Sequence, residues 1–316
     1  ARDDGGIPIC CTSRENGNIM LSRLEIVRSK TVRLILVPTA DRPESVLALD
    51  TAFSLADRIG ANVGGCHVRG ERFEHSAGEV QLMPDIACGT MIASMPSASR
   101  LTSRSARKVY AAAAGRHGFE LAKTVRVGRR RKAFWHELVG TPARVFAIAG
   151  PIADMAVVAR PKPKSAGRAT AFLLAALLHS ARPVLVVPQK TLAAVGKRIL
   201  VAWNQSAEAA LAVSAAIPLL QRAEQIVVAS CGPENRTGPK SSHLAQYLAN
   251  WDVKIERRRT NGRDVEKEIE TLYRQTGSDL LVMGAYSRNR LRQLVFGGVT
   301  EHMLFKTDIP ALMLHR

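Results

Sequence analysis

The sequence of 316 residues is poor in aromatic side chains, which make up 5% of it. Single-stranded nucleic acids bind platforms of aromatic side chains, so this scarcity argues against such a platform. The longest clean apolar run is Ala171–Leu178, far short of the ~20 residues that a membrane helix needs. No apolar N-terminal segment precedes a small-residue cleavage site, so secretion is not expected. The sequence therefore predicts a soluble, cytoplasmic protein without a membrane partner.

Motifs for metals, disulfides and catalysis are also lacking. None of the five cysteines forms Cys-x-x-Cys or lies at zinc-finger spacing from a histidine, and the histidines are scattered, so we expect reduced thiols and no metal site. No phosphate loop, nucleophile elbow or His-Glu-x-x-His motif occurs, so no catalytic residue is predicted and we expect no enzyme. Asp41, Asp154 and Asp279 lie at the edges of predicted strands. There a carboxylate usually accepts from local backbone N–H groups; the alternative is a catalytic carboxylate.

Acidic residues are few beside basic ones: 45 Lys and Arg against 27 Asp and Glu give a net charge of +18. Residues 1–190 carry +13 of this charge, and residues 191–316 carry +5. Basic segments include Arg129–Lys132 and Arg257–Arg259. Such an excess favours contact with nucleotides, nucleic acid or acidic surfaces. The simpler interpretation is a solvated basic surface.

What the chain does have is a repeated alternation of strand and helix patterns, which predicts parallel sheets with right-handed crossovers. Residues 1–30 show no sustained periodicity and are predicted to be a disordered tail, and 70–98 a long surface excursion. Strands are predicted at 32–37, 62–68, 120–127, 154–159, 183–187, 198–202, 225–229, 253–258, 279–283 and 311–314. Helices are predicted at 43–59, 99–117, 132–149, 169–179, 206–221, 241–250, 264–275 and 291–305.

The two halves of the chain look like an internal repeat. Arg33–Val37 aligns with Arg198–Ala202, and Asp154–Val158 aligns with Asp279–Met283. Near the end of the second copy, a strand runs into Gly284 and a basic loop before the next helix. Parallel sheets bind ligands beyond the carboxyl ends of their strands, and a helix N-terminus favours an anion. The alternative is that these glycines serve only packing.

The second half, residues 197–315, resembles the universal stress protein family through Arg198–Ser206, the Asp279–Gly284 strand and the glycine loop. Nucleotide-binding members carry Gly, two residues, Gly, nine residues, Gly, then Ser or Thr. Here that spacing is kept, but Ser287 replaces the second glycine and Gly298 the Ser/Thr. Asn204 stands where ATP-binding members tend to have an acidic residue. The resemblance implies this nucleotide-binding set: Asn204, Met283, Gly284, Ser287, Arg288, Gly297, Gly298, Val299 and Thr300.

The first half, residues 31–190, resembles the same family more weakly. Ala159 replaces the glycine after the fourth strand and Arg160–Lys164 follows, so its nucleotide site is predicted to be lost. The resemblance implies two tandem Rossmann-like α/β domains, 31–190 and 197–316, each an open five-stranded parallel sheet with helices on both faces. Family members pair through their last strands. We therefore expect an internal pseudo-dimer with Pro183–Val187 near Ala311–Leu314, and a further homodimer is compatible with it.

Three functions are open at this point. The leading one is a universal stress protein that acts as a non-catalytic binding or signalling module, with a degenerate nucleotide site and a protein partner that the sequence does not identify. The second is an ATP-binding protein that uses the C-terminal glycine loop with Mg²⁺ and hydrolyses ATP slowly. The third is a binder of nucleic acid or acidic surfaces through the basic first half.

Overall fold

The computed structural model describes residues 31–69, 96–124, 131–161, 166–285 and 298–315, which contain eight helices and eleven strands. The predicted tail at 1–30 and most of the predicted excursion at 70–98 lie outside these ranges. The first half contains β1 (Leu34–Pro38), α1 (Pro43–Ile59), β2 (Asn62–Arg69), α2 (Pro96–Arg116), β3 (Glu120–Leu121), β4 (Lys132–Val139), α3 (Pro142–Ala149), β5 (Met155–Ala159), α4 (Ala166–His179) and β6 (Val184–Val187).

The second half follows the predicted order of strands and helices, with ends shifted by a few residues. It contains β7 (Arg198–Ala202), α5 (Ala207–Leu220), β8 (Gln225–Cys231), α6 (Ser241–Ala249), β9 (Glu256–Thr260), α7 (Val265–Gln275), β10 (Leu280–Gly284), α8 (Gly298–Phe305) and β11 (Ala311–Leu314). The first part of the helix predicted at 291–305 lies outside the described ranges.

All eleven strands form one sheet in the order β3-β4-β2-β1-β5-β6-β11-β10-β7-β8-β9. Neighbouring strands are parallel except β6 and β11, which pair antiparallel with Leu185 opposite Leu312. The α/β fold and the predicted pairing of the last strands are therefore confirmed. The halves differ from the prediction in size, because the first contributes six strands and the second five. The boundary drawn at 190–197 stays a prediction, since one continuous sheet crosses it.

Residues 132–149 were expected to form one helix, and this prediction is wrong. Lys132–Val139 is strand β4, which pairs with β2 over seven positions from Val63↔Ala133 onward. Gly140 then breaks the chain direction with φ of 138°, a conformation that suits glycine. Thr141 caps the short α3 by accepting a hydrogen bond from Arg144 N at 3.2 Å. The strand predicted at 120–127 is described only to residue 124, and within that part only Glu120–Leu121 is a strand.

Two apolar clusters cover the two faces of the sheet, as the alternation of side chains along each strand requires. Ile35 and Val37 of β1 point to the cluster that contains residues of α1, α2, α5 and α6, whereas Leu36 points to the cluster with α3, α4, α7 and α8. Helices on both faces bury a parallel sheet in the usual way. Within the described ranges, no helix combines the length and apolar character needed to cross a membrane.

Matching carboxylates hold the start of the first strand in each half. Asp154 Oδ2 accepts hydrogen bonds from Arg33 N at 2.7 Å and Leu34 N at 2.9 Å. Asp279 Oδ1 accepts from Gly196 N at 2.6 Å and from two further backbone amides. The prediction that these two aspartates satisfy backbone groups is confirmed, but the amides lie more than 80 residues away in the chain and are not local. Asp41, the third aspartate of that prediction, accepts from the side chain of Ser105 instead. The repeated contact of Asp154 and Asp279 supports the internal duplication.

Candidate functional site

The β7–β10 crevice lies at the carboxyl ends of these two neighbouring strands, where Asn204 follows β7 and Gly284 ends β10. β8 and β9 extend the sheet on one side of β7, and β10 and β11 extend it on the other. The strand order therefore reverses between β7 and β10, which pair with Val201 opposite Val282. Open parallel sheets bind ligands at such a reversal point. Helix α8 begins at the same end of the sheet, because it connects β10 to the parallel strand β11.

Asn204 is engaged within the turn that precedes α5. Its Oδ1 accepts a hydrogen bond from Ser206 N at 3.1 Å, and Ser206 Oγ in turn accepts one from Ala209 N at 3.1 Å. This arrangement is an Asx turn followed by a helix N-cap. The oxygen of Asn204 is therefore used locally, and it is a neutral acceptor where ATP-binding relatives tend to have an acid.

Gly284 lies against the first turn of α5. A Cβ atom at this position would come within 2.6 Å of Ala209 N and 2.7 Å of the Glu208 carbonyl carbon. The glycine thus permits a close approach between β10 and α5, which favours the packing interpretation of this residue. Met283 beside it is 6% exposed and belongs to the core on the α7 and α8 side of the sheet.

The N-terminus of α8 has a carboxylate beside it. A Cβ atom at the exposed Gly298 would lie 2.8 Å from Oε1 of Glu266, which is in the first turn of α7. One turn further along, His302 Nε2 and Glu270 Oε1 are 2.6 Å apart, so the two helices are in side-chain contact. A carboxylate near a helix N-terminus is favoured by the helix dipole.

The other sequence-predicted residues fall into two groups. Thr300 is buried, at 8% exposure, and Val299 packs partly buried against the core, so the first turn of α8 is anchored. Ser287, Arg288 and Gly297 lie outside the described residues. Sequence reasoning missed Glu266, because nothing in the local pattern of a helix first turn shows which other helix end lies beside it.

A second feature is an open cleft of about 470 Å³ at the outer side of β8, lined by Ser230, Glu234, Ser241 and Arg257–Arg259. Glu234 Oε1 accepts hydrogen bonds from Ser230 Oγ and Ser241 N, both at 2.8 Å. Burial alone would raise the pKa of Glu234, but these hydrogen bonds and the charge of Arg259 hold it below its ordinary value. The cleft therefore joins a satisfied carboxylate to the basic segment that the sequence singled out.

The described residues offer little for metal or thiol chemistry. No three His, Cys, Asp or Glu side chains among them are grouped so as to hold a metal ion. Burial raises the pKa of the Cys66 thiol to about 12 and also raises that of Cys231. Both side chains are therefore neutral thiols at physiological pH, which makes them poor nucleophiles.

Comparison with known proteins identifies a family that part of the chain resembles. Residues 234–315 match the model of the universal stress protein family. The stress response protein NhaX of Bacillus subtilis is 35% identical over 71 residues, which are 22% of this chain and 40% of that protein's length. Among solved structures, a universal stress protein from Archaeoglobus fulgidus superposes with a TM-score of 0.64 at 15% identity, over 90% of this chain and 98% of the other. A putative universal stress protein from Pseudomonas aeruginosa gives a TM-score of 0.50 at 18% identity, over 90% and 93%.

Residues 234–315 are therefore similar to the universal stress protein family, the family that the sequence resemblance named. The structural matches extend to both halves and, at 15–18% identity, they show a shared fold. The segment that matches NhaX covers less than half of that protein's length, so the match does not show that this chain shares its activity.

Proposed function

We propose that this protein is a non-catalytic binding module of the stress response whose C-terminal nucleotide site is degenerate. The family domain supports the stress role. The observation that carries the loss of the nucleotide site is the carboxylate of Glu266 beside the N-terminus of α8. Like charges placed close together repel each other, so a phosphate bound at this helix end would meet the carboxylate of Glu266.

Two further contacts support the proposal. A nucleotide phosphate needs free donors at the carboxyl end of the sheet, but Ala209 N already donates to Ser206 Oγ. Gly284 is packed against the first turn of α5, so the space beside this glycine is taken up by the helix backbone. These contacts engage part of the α5 N-terminus, and Glu266 lies beside the start of α8, the other helix N-terminus at this crevice.

The test begins with the purified full-length protein, which is denatured and cleared of precipitate before the supernatant is chromatographed for released nucleotide. Titration calorimetry with Mg-ATP follows. We expect an empty protein and no binding heat. Glu266→Gln combined with Ser287→Gly and Gly298→Ser should introduce measurable binding, because it removes the carboxylate and restores the family's residues. Glu224→Gln in the same background is the matched control, since it removes an equal charge at the opposite end of β7.

Stoichiometric ATP released from the wild-type protein would overturn the proposal. It would establish instead the alternative of an ATP-binding protein with Mg²⁺, and slow hydrolysis would then be assayed on the same preparation. That alternative is favoured by one observation, the preserved spacing between Gly284 and the Gly297–Gly298 pair.

A binder of nucleic acid or acidic surfaces is the third candidate. It is favoured by Arg257–Arg259, which line the cleft at the outer side of β8, and by the +13 charge of residues 1–190. Counterion release predicts that its affinity would fall steeply as salt rises. Filter binding with DNA and RNA at low salt checks it, and failure to retain either would remove this candidate.

A further inference from the structure

Arg160 follows β5 in the first half, yet its guanidinium lies inside the second half. The residue is 4% exposed. Its Nε donates to Leu304 O at 2.9 Å, and its Nη2 donates to Met303 O at 2.8 Å and to Ile309 O at 2.7 Å. These carbonyls belong to the last turn of α8 and to the segment that leads into β11.

The backbone of Arg160 is held from its own half. Arg160 N donates to Val187 O at the end of β6 at 2.7 Å. Gln189 Nε2 donates to Arg160 O at 2.6 Å. The main chain of Arg160 is thus fixed at the end of β6, while its side chain holds α8.

The contact matters energetically because α8 has eight residues, and a helix of that length is not stable without tertiary contacts. A cation at the C-terminal carbonyls complements the helix dipole, and hydrogen bonds from a charged donor are among the strong ones. Burial lowers the pKa of Arg160 to about 10, so the guanidinium keeps its charge at neutral pH.

Comparison of the two repeats shows that the first half reaches into the second with Arg160, whereas the equivalent residue of the second half has no side chain that could do the same. Ala285 is the counterpart of Arg160: its N donates to Leu314 O at 2.9 Å in the same way, but its side chain is a methyl group. The counterpart of α8 is α4, whose end is closed within its own half by Ser180. Ser180 N donates to Ala176 O at 3.3 Å, and Ser180 Oγ donates to Arg182 O at 3.2 Å.

We infer that Arg160 is a coupling residue through which the first half of the chain controls the order of α8 in the second half. A change at the carboxyl ends of β5 and β6 moves the backbone of Arg160, and the guanidinium passes that change to the C-terminal turn of α8. Because α8 begins at the carboxyl edge of the second half-sheet, the position that follows β5 in the first half is a regulatory input to the other half. This coupling does not depend on whether ATP binds.

Hydrogen exchange of the full-length protein, read by mass spectrometry, tests the inference. In Arg160→Met we expect the amides of residues 302–309 to exchange about tenfold faster, within the usual range of coupling between sites. Arg160→Lys should recover part of the protection. Arg182→Met is one control, since Arg182 donates to Pro151 O within its own half. Arg58→Met is the other, since Arg58 reaches across to Val195 O but does not touch α8.

Gln189→Ala distinguishes coupling between the halves from a purely local role of Arg160. If Arg160 acted only locally, this substitution would leave the exchange rate of α8 unchanged. Gln189 makes its hydrogen bond within the first half, yet we expect its loss to speed exchange in α8. In the Arg160→Met background the same substitution should have no further effect on α8, which is the signature of coupled residues in a double-mutant cycle. The inference is overturned if α8 exchanges at the wild-type rate in Arg160→Met, if Arg58→Met speeds it equally, or if the two substitutions act additively. If Arg160→Met does not fold, the lysine and Gln189 variants carry the test.

Discussion

Single residues at the carboxyl ends of the strands decide how closely strands and helices approach. Gly284 is the clearest case. Gly284→Ala should lower the free energy of unfolding by about 1–3 kcal/mol, because its Cβ would come within 2.6 Å of the α5 backbone, which cannot yield as a flexible side chain would. Urea denaturation measures the loss.

Gly115→Ala is the matched control for this prediction. Gly115 lies in α2, and a Cβ there would meet nothing within 4 Å. Alanine is the better helix former, so this variant should keep or raise stability by up to about 1 kcal/mol. Equal losses in both variants would show that the contact of Gly284 with α5 has no energetic weight.

Glu234 gives the fold a dependence on pH. Its pKa is lowered in the folded protein, so its contribution to stability is present above the unfolded value and is lost as the pH falls through the folded value. We expect wild-type protein to exceed Glu234→Gln in stability at pH 7 and the difference to shrink as the pH drops below 4.5, the ordinary value for glutamate.

Urea denaturation at pH 7 and at pH 3 measures this difference. Glu224→Gln provides the comparison, because Glu224 makes an exposed ion pair with Lys197 at 3.4 Å, and such pairs contribute little. A gap between wild type and Glu234→Gln that stays constant over this pH range would contradict the assignment.

At the scale of elements, secondary structure could be predicted where the local sequence pattern agrees with the burial and pairing that the fold imposes. β7 and β10 read as strands because apolar, β-branched runs suit a sheet buried on both faces. β4 did not, because Lys132–Val139 mixes aromatic, charged and apolar residues and is half exposed. Its pairing with β2 overrides that ambiguous local pattern.

The outer strand β9 carries Arg257–Arg259 on an exposed edge of the sheet. Charged side chains on an edge strand oppose pairing with another molecule. Replacing all three arginines with threonine, a good strand former, should therefore cause self-association that grows with concentration. Light scattering after size-exclusion chromatography measures it.

A matched control for the β9 variant loses the same charge elsewhere. Arg116, Lys197 and Lys306 are about half exposed or more and lie away from β9. Changing these three residues to threonine gives a variant with the same net charge as the β9 variant. If this control associates as strongly, then total charge rather than edge protection keeps the molecules apart.

At the scale of the whole molecule, the pairing of β6 with β11 joins the two halves through strands that are almost entirely buried. Residues 191–316 expressed alone would leave the edge of β11 without its partner. We expect this fragment to form a homodimer in which β11 of a second copy replaces β6, the common twofold arrangement.

Circular dichroism would show that the fragment is folded, and light scattering would give its mass, with the full-length protein as the comparison. A folded fragment that stays monomeric at every concentration tested would contradict this prediction. Loss of helix signal beyond the missing half would instead point to the absent Arg160 at α8.

The sequence was sufficient for the order of elements in the second half, the internal repeat and the family resemblance, because these rest on periodicity and on residues within one strand or loop. It was not sufficient for Glu266 beside α8 or for Arg160 inside the second half. Both depend on which ends of distant helices meet, and no local pattern records that. The nucleotide-binding set thus stays a prediction from the sequence, and the sequence did not indicate that Glu266 lies beside it.

The antiparallel pairing of β6 and β11 has one more consequence. All strands within a half run the same way, so reversing direction at this seam points the carboxyl ends of the two half-sheets toward opposite sides of the molecule. A small ligand cannot be clamped between the two. The carboxyl ends of the two half-sheets instead form two separate surfaces, and a molecule bound at one would not touch a molecule bound at the other.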